Sequence, residues 1–524
     1  MRTIVILATI TFIILLTQPA LAYEESHIQK NIMPLRQPEI LSDAPQRIEK
    51  GFMIPVLLII RHADLFPVAL DTVTFSVMFD GGKHLLEKRD YHKEYIVSSY
   101  WHEVYEIMIP DGFAGTASID VEFEIEMNGK KKSMHNNNFP KSGRRLLEVY
   151  ISGSALPSAK NWYFGDTHFH TAYTDNQVEF GAPLEVSARM ARAYGLRWLA
   201  ITDHSFDLDD YDGDSANNDP DLKKWKKYKE EIKYLSRIYP DIALIRGEEV
   251  SCGNSLGQNV HLLALNHDNF MAGNGDGYEG PNTPDFPCKH FFDNLEPKSV
   301  AYAAHPFSEL DALSTYILNR GHYTDEDLTH PNLSGMEFWN GSVKPDENGY
   351  KKWISLLLSG ARTFIAAGSD AHGDFQTTFG AVRTAVFVPD APDPDSIAAA
   401  LRNGNSIVSS GPFISLSLTN EKNETAVCGE SISGSSLTIN LAVISSPEFG
   451  ALKKLQIIAG DLDAKNETTI LQLTDENQFQ SPFKHDIAIQ IQNLNNFYIR
   501  AEAETARNNT TFYALTNPIW GKLE

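Results

Sequence analysis

The chain has 524 residues, 42% of them hydrophobic and 22% charged, with a formal net charge of −23 at pH 7. Such a composition supplies several packed cores and excludes wholesale disorder. The acidic excess repels phosphate backbones at long range, so no nucleic-acid partner is expected; a small anionic substrate would need bound cations to meet it.

Residues 1–22 read as a secretory signal peptide. Arg2 supplies the positive start, Ile4 to Leu16 is almost wholly apolar, and Ala20-Leu21-Ala22 is a small-x-small cleavage site. The expectation is an exported chain, periplasmic or secreted, that starts near Tyr23. No later stretch is long and apolar enough to span a membrane. Of the three cysteines, Cys252 and Cys288 could pair if their loops meet, which leaves Cys428 as a thiol.

After a polar lead-in, residues 23–155 have an all-β texture. PVLLII (55–60), TVTFSVMF (72–79), YEIMIP (105–110) and ASIDVEFEIEM (117–127) are strand-like, and the last alternates apolar with charged residues. The segment is expected to be a β-sandwich. SGSALPSA (152–159) has linker composition.

From Trp162 the texture changes to strand–helix alternation. Apolar runs recur as WYFGDTH, WLAITDH, IALIRGEE, NVHLLAL, VAYAAHP, GMEFWNG, TFIAAGSDAH and AVRTAVFV. Pro183 to Tyr194 is a predicted helix stopped by Gly195, with Leu184, Val186, Ala188, Met190 and Ala191 along it. Asp221 to Tyr239 carries Trp225, Tyr228, Ile232, Leu235 and Ile238 at helical spacing, and Lys351 to Ser359 is a further short helix. This pattern predicts a parallel sheet closed into a barrel over residues 160–410. Residues 411–524 return to β texture and predict a second sandwich. Two polar segments, Asn266 to Asn294 and Asp207 to Asp219, miss the calcium-loop pattern at Phe270 and Tyr211 and read as solvated loops.

The ionisable residues cluster at the ends of these apolar runs. His168 and His170, two apart in an extended segment, can face one point, with Asp175 just beyond. Asp203-His204, Glu248-Glu249, His261, His305, Asp370 and His372 close or occupy the later runs. A βα-barrel brings its strand C-termini to one rim, so one geometric assumption gathers a set of nitrogen and oxygen ligands. Mixed imidazole and carboxylate donors suit Zn, Mn or Fe.

These residues also carry a resemblance. GDTHFHTAYTDN is similar to the D-x-H-x-H-T-x-x-S-D-G opening of the polymerase and histidinol phosphatase (PHP) metallohydrolase superfamily, and ITDHS, RGEEVS, AAHPF, EFWNG and GSDAHG resemble its later blocks. SIVSSGPF (406–413) resembles the exit into the C-terminal β region of the exported CehA/McbA-like branch. The likeness runs from Trp162 to about Pro412. It implies a distorted (β/α)7-type barrel, flanked by the two sandwiches, with a site for two to three divalent ions. His168, His170, Glu249 and Asp370 would hold one ion. Glu249, chosen over Glu248 by the family's G-x-E pattern, would bridge to a second ion at His261 and His305. Asp175, His204 and His372 would hold the third. Thr174 and Asn176 depart from the family's Ser and Gly.

The expected chemistry is hydrolysis by water activated between cations, with phosphate esters as substrates. No G-x-S-x-G nucleophile elbow is present. Arg383 is the candidate to bind substrate oxyanions, and Asp203 or Tyr173 the candidate to protonate the leaving group. Trp339 and Asn340 are placed to shape the pocket. Two alternatives stand beside this reading: a carboxyl-ester, carbamate or amide hydrolase with the same site, and a glycan- or surface-binding module on a degenerate barrel.

Overall fold

The computed structural model describes residues 37–523, apart from 81, 137–145, 177–180, 213, 278–281, 311 and 492–493. The expected signal peptide therefore lies outside the described residues. Two sheets make up the N-terminal region. Glu39–Asp43, Ile54–Arg61 and Tyr100–Ile107 form a three-stranded antiparallel sheet. Gly115–Met127 and Val68–Phe79 are the centre of a six-stranded one. Along Gly115–Met127 the odd-numbered residues Ala117, Ile119, Val121, Phe123 and Ile125 are buried and the intervening acids face outward, as period-two alternation requires. Ile54–Arg61 shows no alternation, because both its faces are covered. Val56, Leu58 and Ile60 enter the N-terminal core, while Leu57 and Ile59 join the cluster that includes Leu184 and Ala188.

The helix Leu184–Tyr194 follows Pro183 and stops at Gly195, which takes a left-handed φ of 106°. Its neighbour Lys223–Ile238 buries Trp225, Tyr228, Ile232 and Leu235, and Tyr228 Oη donates to the Ile201 carbonyl at 2.6 Å. Ile238 departs from the expected stripe and is exposed at the helix end. Residues 152–159 are no loose linker: Leu156 is buried and its N–H donates to Glu49 at 2.9 Å.

Seven central strands lie side by side in the order Phe364–Gly368, Gly335–Asn340, Val300–Ala304, Asn259–Leu265, Ala243–Gly253, Trp198–Ile201, Trp162–Asp166. The expected all-parallel sheet is corrected to a mixed one. Asn259–Leu265 runs antiparallel to both neighbours. Its link to Ala243–Gly253 is the turn 254–258, with Gly257 at φ 77°, and a turn that short can only make a hairpin. Gly165 lies within the first strand. It lets the Trp198 ring lie against the backbone, where a Cβ would sit 2.0 Å from the indole.

No ladder joins the first and last of these seven strands among the described residues. Their C-terminal extensions meet instead. Phe169 bridges Ala371, and the Asp370 N–H donates to the His168 carbonyl at 2.8 Å. On its other side Trp162–Asp166 pairs antiparallel with Arg383–Phe387, and the sheet runs on through Ser406–Ser409 into Thr510–Thr516 and Asn496–Arg507. That C-terminal layer packs on a four-stranded sheet through Leu416, Leu418, Ile439, Leu441, Ile457 and Ile499.

Candidate metal centre

His168 and His170 leave the first strand on the same side, and their Nε2 atoms lie 3.1 Å apart, both side chains fully buried. Each ring is fixed from behind. His168 Nδ1 is 2.9 Å from Glu337 Oε2. His170 Nδ1 is 3.0 Å from Thr174 Oγ1, whose own proton goes to Asp203 Oδ1 at 2.9 Å. Both Nδ1 atoms therefore act as donors, and both Nε2 atoms point inward.

Carboxylates close on those atoms. Asp370 Oδ1 is 3.2 Å from each Nε2, and Asn340 Nδ2 donates to its other oxygen at 3.0 Å. Glu249 divides its two oxygens. Oε2 faces His168 at 3.4 Å, His170 at 3.3 Å and His204 Nδ1 at 3.0 Å, while Oε1 faces His261 Nδ1 at 2.7 Å and His305 Nε2 at 3.0 Å. Three groups result, each with its donor atoms within 4.8 Å of one another: His168, His170, Glu249 and Asp370; Glu249, His261 and His305; and His170, His204 and His372. Their backbones are pinned where the strand ends converge. Asp166 Oδ1 accepts from the N–H of His168 at 3.1 Å and of Ser369 at 2.9 Å. Asp370 and His305 sit at positive φ, 50° and 28°, a conformation costly for residues other than glycine.

The electrostatics follow from this packing. Burial alone would raise Glu249 and Asp370. Instead the imidazoles of His261, His168 and His204 hold Glu249, and those of His168 and His170 hold Asp370, well below the usual carboxylate range. Burial alone would lower His168, yet Asp370, Glu337 and Glu249 hold it well above its ordinary value. Burial together with His372 and His204 lowers His170. Imidazole Nε2 atoms facing ionised carboxylates in a buried space demand positive charge. Divalent ions fit that demand, and the donor set is one that Zn, Mn or Fe accepts.

Several expected site residues stand elsewhere. Asp175 is exposed, outside the three groups, and its charge acts on Tyr100 of the N-terminal sheet; His170 stands in the group expected for it. Glu248, adjacent to Glu249, faces away and accepts from the Met271 N–H at 3.1 Å. Asp203 accepts from the N–H and hydroxyl groups of both Thr171 and Thr174, so it anchors a loop. Tyr173 Oη is committed to Glu231 at 2.7 Å. Arg383 is buried among the rings of Phe164, Tyr194 and Phe449 and donates to the Gly380 carbonyl at 2.7 Å, and it does not line the cleft beside Asp370. Trp339 is a core residue, whereas Asn340 lines the cleft beside Asp370.

Parts of both polar segments expected to be solvated are packed instead. In 207–219, Asp207, Asp209, Asp210 and Asp219 are buried. In 266–294, Asp276 is buried with Oδ2 3.0 Å from His261 Nε2, which turns His261 Nδ1 toward Glu249. Cys252 and Cys288 are disulfide-bonded at the far end of that segment. Sequence reasoning missed Glu337 and Asp276. A lone acid inside the apolar run GMEFWN was the available signal for the first; the second has none, since Gly/Asn-rich composition hides it.

No protein-family model matches the chain, and no curated protein matches it. Among solved structures, the lesion-specific endonuclease PfuEndoQ from Pyrococcus furiosus is 16% identical, covering 47% of this chain and 57% of its own, with a TM-score of 0.28. A glycosyl hydrolase family 2 member from Bacteroides cellulosilyticus is 9% identical over 93% of this chain and 63% of its own, with a TM-score of 0.18. A β-glucuronidase from Bacteroides uniformis is also 9% identical, over 91% and 60%, with a TM-score of 0.18. The chain thus spans less than two thirds of each, and at these TM-scores the likenesses carry no argument about activity. No helix among the described residues is long and apolar enough to cross a membrane.

Proposed function

We propose that this chain is an exported, metal-dependent hydrolase of the PHP type that cleaves phosphate esters at a site for two or three divalent ions. The observation that carries the reading is the division of Glu249 between two histidine groups, one oxygen toward His168, His170 and His204, the other toward His261 and His305. A bridging carboxylate flanked by inward-facing imidazoles is what a multinuclear centre requires. Bound divalent ions would supply Lewis acidity, activating water and neutralising charge on a phosphoryl oxygen. The chain's own groups do the rest. Glu337, Thr174 and Asp276 set the tautomers of His168, His170 and His261. Asn340 orients Asp370. The mixed seven-strand run, joined at its rim by Phe169 and Ala371, supports the distorted barrel that the motif resemblance implies. Export rests on residues 1–22 alone.

The test pairs elemental analysis of untagged protein, reconstituted with Zn or Mn, with hydrolysis of an aryl phosphate and an aryl ester. Bound metal with chelator-sensitive phosphatase turnover, lost in His168→Ala, is the expected result. Metal with esterase turnover alone moves the assignment to carbonyl substrates. Protein that takes up no metal and turns over nothing overturns the hydrolase reading.

A further inference from the structure

Beside the histidine groups lies a cleft of about 750 Å³ whose walls include His305, Asp370, Asn340, Ser308, Arg320 and Lys344. That volume accommodates a ligand of nucleotide size. Arg383 does not line this cleft; Arg320 does. Arg320 Nε donates to Asp276 Oδ2 at 2.6 Å, and its side chain is 34% exposed while that of Asp276 is 0% exposed. The same Asp276 oxygen holds His261, and Ser251 Oγ donates to the other. One buried carboxylate therefore aims a histidine at Glu249 and an arginine along the cleft wall.

We propose that Arg320, held in place by Asp276, is the residue that recognises the phosphoryl oxygens of a compact phosphate monoester. The assignment rests on the phosphoesterase reading above and names the group that binds its anion. A guanidinium offers planar N–H donors matched to phosphate, and one edge fixed on a buried carboxylate lowers the entropy cost of presenting it. The walls also carry Glu309, Asp346 and Glu347 beside the one lysine, Lys344, so the cleft disfavours an extended polyanion and favours a single phosphate on an uncharged leaving group.

The test uses the full chain loaded with Zn or Mn and inorganic phosphate as the probe, followed by titration calorimetry, with metal content measured in parallel. Arg320→Ala weakens phosphate binding about tenfold or more and raises KM for an aryl phosphate more than it lowers kcat, with metal content unchanged. Arg320→Lys restores part of the affinity, because an ammonium lacks the planar fork. Asp276→Asn weakens phosphate binding and metal retention together. Should Arg320→Ala fail to fold, Arg320→Gln keeps a donor for Asp276 and carries the comparison. Equal phosphate affinity in wild type and the Arg320 variant overturns the assignment, whether or not the chain turns over. Metal-loaded wild type that binds no phosphate also overturns it. Phosphate held through Arg320 without turnover of any ester overturns the hydrolase reading and leaves the assignment standing.

Discussion

Glu337 Oε2 lies 2.9 Å from His168 Nδ1, with both side chains fully buried. A carboxylate on the far nitrogen of a ligating histidine fixes the tautomer and raises ligand basicity, and its loss typically costs 10–100-fold in metal affinity. Glu337→Gln is therefore expected to weaken uptake of Zn or Mn by roughly that factor. Titration of the apo-protein with a competing chelator checks it, and affinity equal to wild type would remove Glu337 from the site.

Adjacent residues give a sharper contrast. Glu249 faces five imidazoles, whereas Glu248 is buried on the opposite side, where burial pushes its carboxyl well above the usual range. Glu249→Gln should lose most of the bound metal and with it any turnover. Glu248→Gln keeps a side chain of similar shape outside the three groups and should keep its metal. Elemental analysis of both variants decides. Equal metal loss in the two would show that the strand end, and not the Glu249 side chain, sets the site.

What the sequence made legible was the set of donors at strand ends, because His168, His170, Glu249, His261, His305, Asp370 and His372 each interrupt an apolar run where a rim would lie. What it hid has physical causes. Asp276 reaches His261 from a Gly/Asn-rich segment, and composition says nothing about where such a segment packs. Arg383 follows the Asp370 strand closely in sequence, yet its ring contacts turn it into the core. Asp175 follows the two histidines in sequence but ends up on the surface. The antiparallel Asn259–Leu265 strand was readable from the turn 254–258, too short for a crossover, but the surrounding strand–helix rhythm masked it.

The acidic segment 207–219 imposes a pH dependence. Burial, aided by the carboxylates of Asp207 and Asp285, raises Asp209 to about 7, although Asn218 Nδ2 donates to it at 2.8 Å. The folded chain thus holds a proton that the unfolded chain releases near the ordinary aspartate value of 3.8. Stability from this group is fully present below that value and is lost as pH rises through about 7. Asp209→Asn should remove the loss, which is on the order of a few kcal/mol at alkaline pH. Thermal midpoints at acidic and alkaline pH check it: wild type should fall more than the variant, and parallel profiles would discount Asp209.

Arg383 is expected to act on stability alone. Its guanidinium lies 5.5 Å from the Phe164 ring centroid and 5.3 Å from that of Phe449, and Nη1 donates to Tyr194 Oη at 3.0 Å. Arg383→Met fills similar volume but leaves the Tyr194 and Gly380 oxygens without this donor, at a cost of roughly 1–3 kcal/mol. The thermal midpoint should drop while metal content and KM stay at wild-type values. A raised KM with an unchanged midpoint would return Arg383 to the substrate-binding role first expected of it.

The Cys252–Cys288 disulfide closes a 36-residue separation that includes Asp276, and backbone bridges from Ser251 to Asn274 and from Gly253 to Pro287 lay the segment along the Glu249 strand. Cross-linking a loop of this length stabilises by about 4 kcal/mol in the chain-entropy account. Thiol titration of the unfolded chain should return one group without reductant, the buried Cys428, and three with it. Three groups without reductant would break the pairing. The double variant Cys252→Ser, Cys288→Ser should melt earlier and also retain metal less well, because only the backbone bridges and the Ser251 and Arg320 contacts then keep Asp276 beside His261. Earlier melting with undiminished metal affinity would separate the two effects. The disulfide would then serve the fold, and the packing of 266–294 would suffice to hold Asp276 in place.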